Sequence, residues 1–211
     1  MTDISTAITR RALISSSCAM LAVPSVLAAA SAPTPRQTEG PFYPLDWSGD
    51  VDNDLVVVRG EAARALGHVA HVMGRVLGPD GGPMKGAIVE IWQCDANGRY
   101  LHPGDMSLFG SARDRGFQGR GRATTAVDGA YRFRTIRPVP YGGRAPHIHF
   151  RVNHEGRERL TTQLYVAGDP HNERDGIFTR ERNRGMLVVP FSPANGIEAG
   201  ALAATFDIRL V

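Results

Sequence analysis

The sequence predicts an all-β fold, a β-sandwich with long ordered loops. Short apolar segments recur along the chain, separated by Gly, Pro and Asp turn signals. Beyond residue 32 no sustained apolar period of 3.6 residues is present, apart from a short stretch near Ala62–Leu66 that reads as a small helix. The 211 residues are 42% hydrophobic and contain no repeat, which suits one domain around one sizeable core.

The N-terminus comes first and reads as a separate signal. Thr9-Arg10-Arg11-Ala12 is a twin-arginine pattern, followed by an apolar run to Leu27 and small residues at 28–32. The run is too short, and too interrupted by Ser15, Ser16, Ser17 and Pro24, to span a bilayer permanently. Residues 1–32 are therefore expected to be a twin-arginine signal peptide. Residues 33–211 form the mature domain, exported and periplasmic, with no stable membrane anchor. Cys18 leaves with the signal, and Cys94, the one remaining cysteine, reads as a buried small hydrophobe.

The strands follow in order. His68–Leu77 ends at a Gly78-Pro-Asp-Gly-Gly-Pro83 turn, and Ile88–Gln93 is next. Asp128-Gly129 turns the chain into Tyr131–Ile136, which alternates apolar and polar residues. A strand over His147–Val152 precedes Thr161–Val166, Leu187–Phe191 and Phe206–Leu210, the last with Phe206, Ile208 and Leu210 inward. The segments 101–121 and 168–184, rich in Gly, Arg and Asp, read as the long loops.

Charge adds an exclusion. The formal net charge is +3, and 23 of the 24 basic residues are arginine, Lys85 being the lysine. Removing residues 1–32 takes away Arg10, Arg11 and Asp3 and lowers the charge to +2. The arginines are scattered, without a basic helix or an aromatic ladder, so nucleic-acid binding is not expected.

The most informative segment is Tyr141-Gly-Gly-Arg144-Ala-Pro-His147-Ile-His149-Phe150. On a strand, His147, His149 and Arg151 share one face and Ile148, Phe150 and Val152 the other. The second set suits a core. The first offers two imidazoles one pleat apart, a spacing from which both reach one metal ion. Tyr141 lies six residues before His147, and a second tyrosine, Tyr100, follows the Ile88–Gln93 strand. Phenolate is a hard anionic donor, so two tyrosines with two histidines favour Fe(III); zinc prefers Cys, His and carboxylate. The long loops are then expected to surround a metal site.

The chain resembles the intradiol ring-cleavage dioxygenases, most of all the subunits of protocatechuate 3,4-dioxygenase. The stretches that carry the resemblance are Thr38–Pro44, Gly86–Tyr100, Phe117–Arg122, Asp128–Pro138, Tyr141–Val152 and Thr162–Tyr165. Together they run from about Arg36 to the C-terminus. The resemblance implies a β-sandwich and a non-haem Fe(III) held by Tyr100, Tyr141, His147 and His149. It makes Arg144 and Gln163 active-site residues. The substrate would be a small aromatic diol, cleaved with O2 between its hydroxyl-bearing carbons to a muconate-type dicarboxylate. Tyr141 would serve as ligand and base, Arg144 would stabilise negative charge near the ring, and Gln163 would orient substrate or O2. One departure is a Tyr141–His147 loop shorter than in those subunits, which reshapes the pocket wall.

Other residues are assigned by elimination. Tyr131 and Trp92 read as core, His68 and His71 as surface, and His102, His154 and His171 as loop residues that bind nothing. Glu39 and Tyr43 either reach the pocket or belong to a packed N-terminal arm. Two other classes compete. A non-catalytic transthyretin-like β-sandwich binding module would explain the Gly82-Pro83 and Asp128-Gly129 turns but not the two tyrosines and two histidines. A cupin-like Fe(II) oxygenase would need a later glutamate and histidine in an order that His154-Glu155 does not supply. Catechol 1,2-dioxygenases carry an additional N-terminal helical region for which this chain lacks length, which favours the protocatechuate type, a pairing of unlike subunits. A homo- or hetero-oligomer is compatible with that. Catechol, protocatechuate, hydroxyquinol and substituted catechols all fit as substrates.

Overall fold

The computed structural model describes residues 32–105 and 112–211. The expected signal peptide, with Arg10, Arg11 and Cys18, lies outside the described residues save for its last position, as does the 106–111 part of the first long loop. No helix among the described residues is long and apolar enough to cross a membrane.

Ten strands follow one another: β1 (Val69–Leu77), β2 (Ile88–Trp92), β3 (Arg120–Thr124), β4 (Ala130–Ile136), β5 (His147–His154), β6 (Arg157–Val166), β7 (Val188–Val189), β8 (Ser192–Pro193), β9 (Leu202–Thr205) and β10 (Ile208–Arg209). They form two five-stranded sheets, and the fold is the all-β sandwich that the sequence predicts. In the first sheet β1 pairs antiparallel with β4 along one side. Along its other side it pairs in parallel with β9 and then β10. The second sheet has the order β3-β2-β5-β6-β7.

The core lies between the sheets. Val72, Val76 and Phe133 of the first sheet meet Val89, Ile91, Ile148, Phe150, Val152 and Leu164 of the second, all fully buried. Each such side chain contributes about 1.5–3 kcal/mol of hydrophobic stabilisation. The alternation on β5 is as predicted: Ile148, Phe150 and Val152 face the core, and His147 and His149 share the opposite face.

Several boundaries differ from the sequence reading, each for a physical reason. The Ala62–Leu66 stretch is not helical; only Ala65 is buried there, and three residues from 62 to 64 are exposed. The expected Leu187–Phe191 strand shrinks to two residues because a 3-10 turn takes Arg184–Leu187 and Pro190, which follows β7, has no N–H to extend the pairing. Phe206–Leu210 narrows to Ile208–Arg209, although Phe206, Ile208 and Leu210 are all buried as expected. There the partner strand changes from β9 to β10, and Phe206 N donates to Met73 O. Gly74 permits the approach, since a Cβ on it would lie 2.0 Å from the Phe206 carbonyl oxygen. The second long loop contains a short helix, α1 (Gly176–Arg180), started by Asp175, whose side chain accepts from Ile177 N and Phe178 N.

The second sheet is covered on both faces, and its outer cover shapes the site. An N-terminal arm crosses that face: Gln37 N donates to Thr161 O at 2.9 Å, and Gln163 Nε2 donates to Thr38 O at 2.8 Å. Further along, Tyr43 Oη donates to Glu90 Oε2 at 2.9 Å. Of the two readings for Glu39 and Tyr43, the packed arm is the one observed; Glu39 is ion-paired with Arg151.

Candidate metal centre

The strand register brings the predicted donors together. His149 on β5 stands opposite Trp92 on β2 and Gln163 on β6, and His147 stands opposite Tyr165. Tyr100 follows β2 through the tight segment Asp95–Arg99, in which Asp95 N donates to Arg99 O and Asp95 Oδ1 accepts from Asn97 N and Arg99 N. Tyr141 begins a two-residue turn that Arg144 N closes on Tyr141 O at 2.7 Å. Gly142 and Gly143 both adopt positive φ, +50° and +81°, which that turn requires and a β-carbon would oppose.

All four donors converge. His147 Nε2 lies 3.1 Å from His149 Nε2 and 3.5 Å from Tyr100 Oη. The Tyr100 and Tyr141 rings meet edge-on at 5.0 Å. The two histidines and Tyr100 are buried, while Tyr141 is half-buried. The rival Tyr131 is in the core, its hydroxyl given to Phe206 O, as the sequence implies.

The donor set fits a hard cation. His147 Nδ1 donates to Ala145 O at 2.6 Å, which leaves Nε2 as the lone-pair nitrogen aimed into the cluster. Burial lowers the His147 pKa to about 4, with the Arg144 charge adding to the effect, and burial with the neighbouring His147 lowers that of His149 further below its usual value. Both rings are therefore neutral and able to ligate. Burial raises the pKa of Tyr100 well above the phenol range and raises that of Tyr141 as well. A buried phenol and a half-buried one beside two neutral imidazoles carry no charge of their own, and a cation would reverse the cost of ionising them. The set offers two imidazoles and two phenols, whereas zinc prefers Cys, His and carboxylate.

Arg144 and Gln163 sit beside this cluster, as the sequence reading expects. Arg144 donates through Nε to Asp175 Oδ2 at 2.8 Å and through NH2 to Gln163 Oε1 at 2.7 Å and Tyr165 Oη at 3.2 Å. The arginine thus pairs with a carboxylate, and its charge opposes the rise in the Tyr141 pKa.

Sequence reasoning missed or misplaced four residues. Trp92 is buried in a core cluster as read, 1% exposed, and it also stacks on His149 at 4.8 Å and 8°. Phe42 lies 4.8 Å from the Tyr100 ring and 6.1 Å from Tyr141, and so forms part of the site wall. Tyr165 and Asp175 complete the Arg144 network. Residue parity with Gln163 marks Tyr165, and the Asp175-Gly-Ile-Phe178 helix start marks Asp175. His71 is not a surface residue: it is 3% exposed, with Nε2 2.9 Å from Glu198 Oε2 and Nδ1 3.1 Å from Arg132. His68 is exposed as read. Of the loop histidines, His171 pairs with Asp169, and the His102 ring comes within 5.6 Å of Phe42. Cys94 is buried as expected, and burial raises its thiol pKa to about 12.

Comparison with known proteins agrees with this geometry. A family profile described as Dioxygenase matches residues 38–211. The chain is 38% identical over 186 residues to the protocatechuate 3,4-dioxygenase beta chain of Burkholderia cepacia, covering 83% of this chain and 78% of that one. It is 36% identical over 191 residues to catechol 1,2-dioxygenase 1 of Acinetobacter lwoffii, covering 81% of this chain but 57% of that protein's length. Among solved structures, the dioxygenase domain of a dioxygenase–carbohydrate-binding protein fusion from Streptomyces sp. SirexAA-E superposes with a TM-score of 0.66 at 32% identity. That match covers 85% of this chain and 98% of the other. Fold, site geometry and relatives together show that the chain belongs to the intradiol ring-cleavage dioxygenases, a family of enzymes.

Proposed function

We propose that Tyr100, Tyr141, His147 and His149 hold one non-haem Fe(III). We further propose that the protein cleaves a catechol-type ring between its two hydroxyl-bearing carbons with O2, giving a muconate-type dicarboxylate. The observation that most supports this is the buried convergence of two imidazole nitrogens, 3.1 Å apart, with a phenol oxygen 3.5 Å from one of them. Fe(III) bound there would supply chelation of both diol oxygens and make the ring reactive toward O2.

The chain's own residues do the rest. A catechol arrives with two hydroxyl protons; Tyr141 Oη, on the more open side of the cluster and a phenolate when the metal is held, would accept one, and hydroxide from solvent the other. Tyr100 is buried against His147 and Phe42 and holds its place. His147 is fixed by its Nδ1–H bond to Ala145 O, and His149 by the Trp92 face. Arg144, oriented by Asp175 and Gln163, contributes positive charge where negative charge develops on the ring oxygens. The arm residues Gly40 and Phe42 cover the site and limit water. Both atoms of O2 end in the two new carboxyl groups, so no other oxidant is consumed.

The visible spectrum tests this reading. Purified protein should show a broad visible band that moves to longer wavelength when catechol is added without oxygen. A chain that stays colourless after iron reconstitution overturns it. Catechol and protocatechuate, the compounds in the relatives' names, are the first substrates to try.

We also propose that residues 1–32 direct export through the twin-arginine route, on the strength of Arg10-Arg11 and the apolar run after it. N-terminal sequencing of periplasmic protein tests this, with a mature start near residue 33 expected.

A further inference from the structure

On β6, Tyr165 shares its face of the sheet with Gln163, and in the register it stands opposite His147. It is fully buried. Its ring packs on the Phe178 ring at 4.9 Å and on the His147 ring at 5.8 Å. Phenylalanine would fill that space equally well, and a buried hydroxyl costs free energy unless its hydrogen bonds are made. The hydroxyl therefore has a task beyond packing.

Three polar groups meet at that hydroxyl. Tyr165 Oη accepts from Arg144 NH2 at 3.2 Å and donates to Gln163 Oε1 at 2.8 Å. The third group, Gln37 Oε1 of the N-terminal arm, lies 3.3 Å away. The same Arg144 nitrogen donates to Gln163 Oε1 at 2.7 Å, so Arg144, Tyr165 and Gln163 close a triangle.

The triangle defines what Gln163 does. Both lone pairs of its Oε1 are taken, by Arg144 and Tyr165, and its Nε2 donates to Thr38 O at 2.8 Å. An oxygen so occupied does not accept from substrate; it holds Arg144 instead. The amide plane is fixed at one end by Thr38 and at the other by the Tyr165 hydroxyl. Without that hydroxyl the amide turns about its bond to Thr38, and the Arg144 nitrogen moves with it. Asp175 still holds Arg144 Nε, but one firm contact leaves the guanidinium plane loose.

We propose that Tyr165 is a positioning residue for ring cleavage. Its hydroxyl holds Arg144, directly and through Gln163, in the orientation in which the guanidinium meets developing negative charge. This rests on the ring-cleavage reading above. Gln37 extends the network to the arm, so the segment that covers the donors with Gly40 and Phe42 also touches the hydroxyl that orients Arg144. Arg144 acts on charge that develops in the transition state, so loss of the hydroxyl should appear in turnover and not in substrate binding.

Tyr165→Phe removes the oxygen and keeps the ring. In iron-loaded protein its kcat for catechol should fall by about ten- to a hundredfold, with KM unchanged. Iron content and the visible band before substrate should match the unsubstituted protein, since no donor is touched. An unchanged kcat overturns the proposal. So does a loss of iron or colour, which would mean that Tyr165 acts through His147. A raised KM at unchanged kcat assigns the hydroxyl to substrate binding and overturns it as well.

Metal-free protein supplies an independent readout. Urea denaturation of Tyr165→Phe, Arg144→Gln and the double variant should give losses that do not add, because both substitutions break the same contact. Additive losses overturn the proposal whatever the colour of the protein. A chain that stays colourless after iron reconstitution overturns the ring-cleavage reading and this role with it. A coloured chain in which Tyr165→Phe is fully active overturns this proposal alone.

Discussion

Asp175 accepts the Nε–H of Arg144 at 2.8 Å and, through the same Oδ2, the backbone N–H of Ala145 at 3.0 Å. One buried carboxylate thus fixes both the guanidinium beside the site and the residue whose carbonyl holds His147. Its other oxygen starts α1, so this residue ties the second long loop to the segment that leads into β5. Burial pushes the Asp175 pKa up, but the Ala145 N–H and Arg144 together pull it below the usual carboxylate value.

Asp175→Ala removes one partner of a buried ion pair and should destabilise the protein by about 3–5 kcal/mol. Urea denaturation measures this. The same variant should lower kcat, because Arg144 loses its anchor and His147 its fixed neighbour. A fully active, equally stable variant would show that the Asp175–Arg144 pair positions nothing.

Tyr100→Phe and His149→Ala test the donor set in different ways. Tyr100→Phe should weaken the visible band and cut kcat/KM by more than the roughly 10–100-fold typical of losing an outer-shell partner. His149→Ala should lower the iron content measured by elemental analysis. Unchanged iron and colour in both variants would leave these residues without the assigned role.

Gly40 lies against His149. Its φ is +73°, and a Cβ there would stand 3.3 Å from His149 Cε1. Gly40→Ala should cost about 1–3 kcal/mol for the left-handed backbone and also lower activity by pressing on the ring. Gly86→Ala is the control, because Gly86 has φ +76° with nothing within 4 Å of the added Cβ. It should lose stability while keeping kcat. Equal activity in the two variants would count against a covering role for the arm.

Away from the site, Glu198 carries a pH dependence. Its hydrogen bond from Arg134, aided by His71, lowers its pKa from 4.5 to about 2. A carboxylate with a depressed folded pKa stabilises the fold above its unfolded pKa and loses that contribution as pH falls. Stability should therefore drop between about pH 4.5 and 2, and Glu198→Gln should flatten that part of the profile. Solvent reaches part of this group, so the effect will be modest and reduced by salt. Urea midpoints across the range, at low and high salt, measure it.

The donor residues were legible because their pattern is local. His147 and His149 declare a shared face through a period of two, and Ile148, Phe150 and Val152 declare the core face in the same eight residues. Tyr100 and Tyr141 stand next to strand ends and turns that the chain marks with Asp95, Gly142 and Gly143. The sandwich class was legible for the same reason, since strand alternation and turn chemistry are properties of neighbouring residues.

What surrounds the donors was not local, and only tertiary structure decided it. Trp92 has the composition of a core residue, and only the pairing of β2 with β5 places it on His149. The contacts of Phe42 with Tyr100 and of Thr38 with Gln163 join residues 58 and 125 positions apart. Asp175 meets Arg144 across 31 positions. The sequence alone determined that His147 and His149 share one face, because strand geometry repeats every two residues. Which distant segments cover, anchor and charge that face depended on how two sheets and an arm pack, and no local pattern encodes long-range packing.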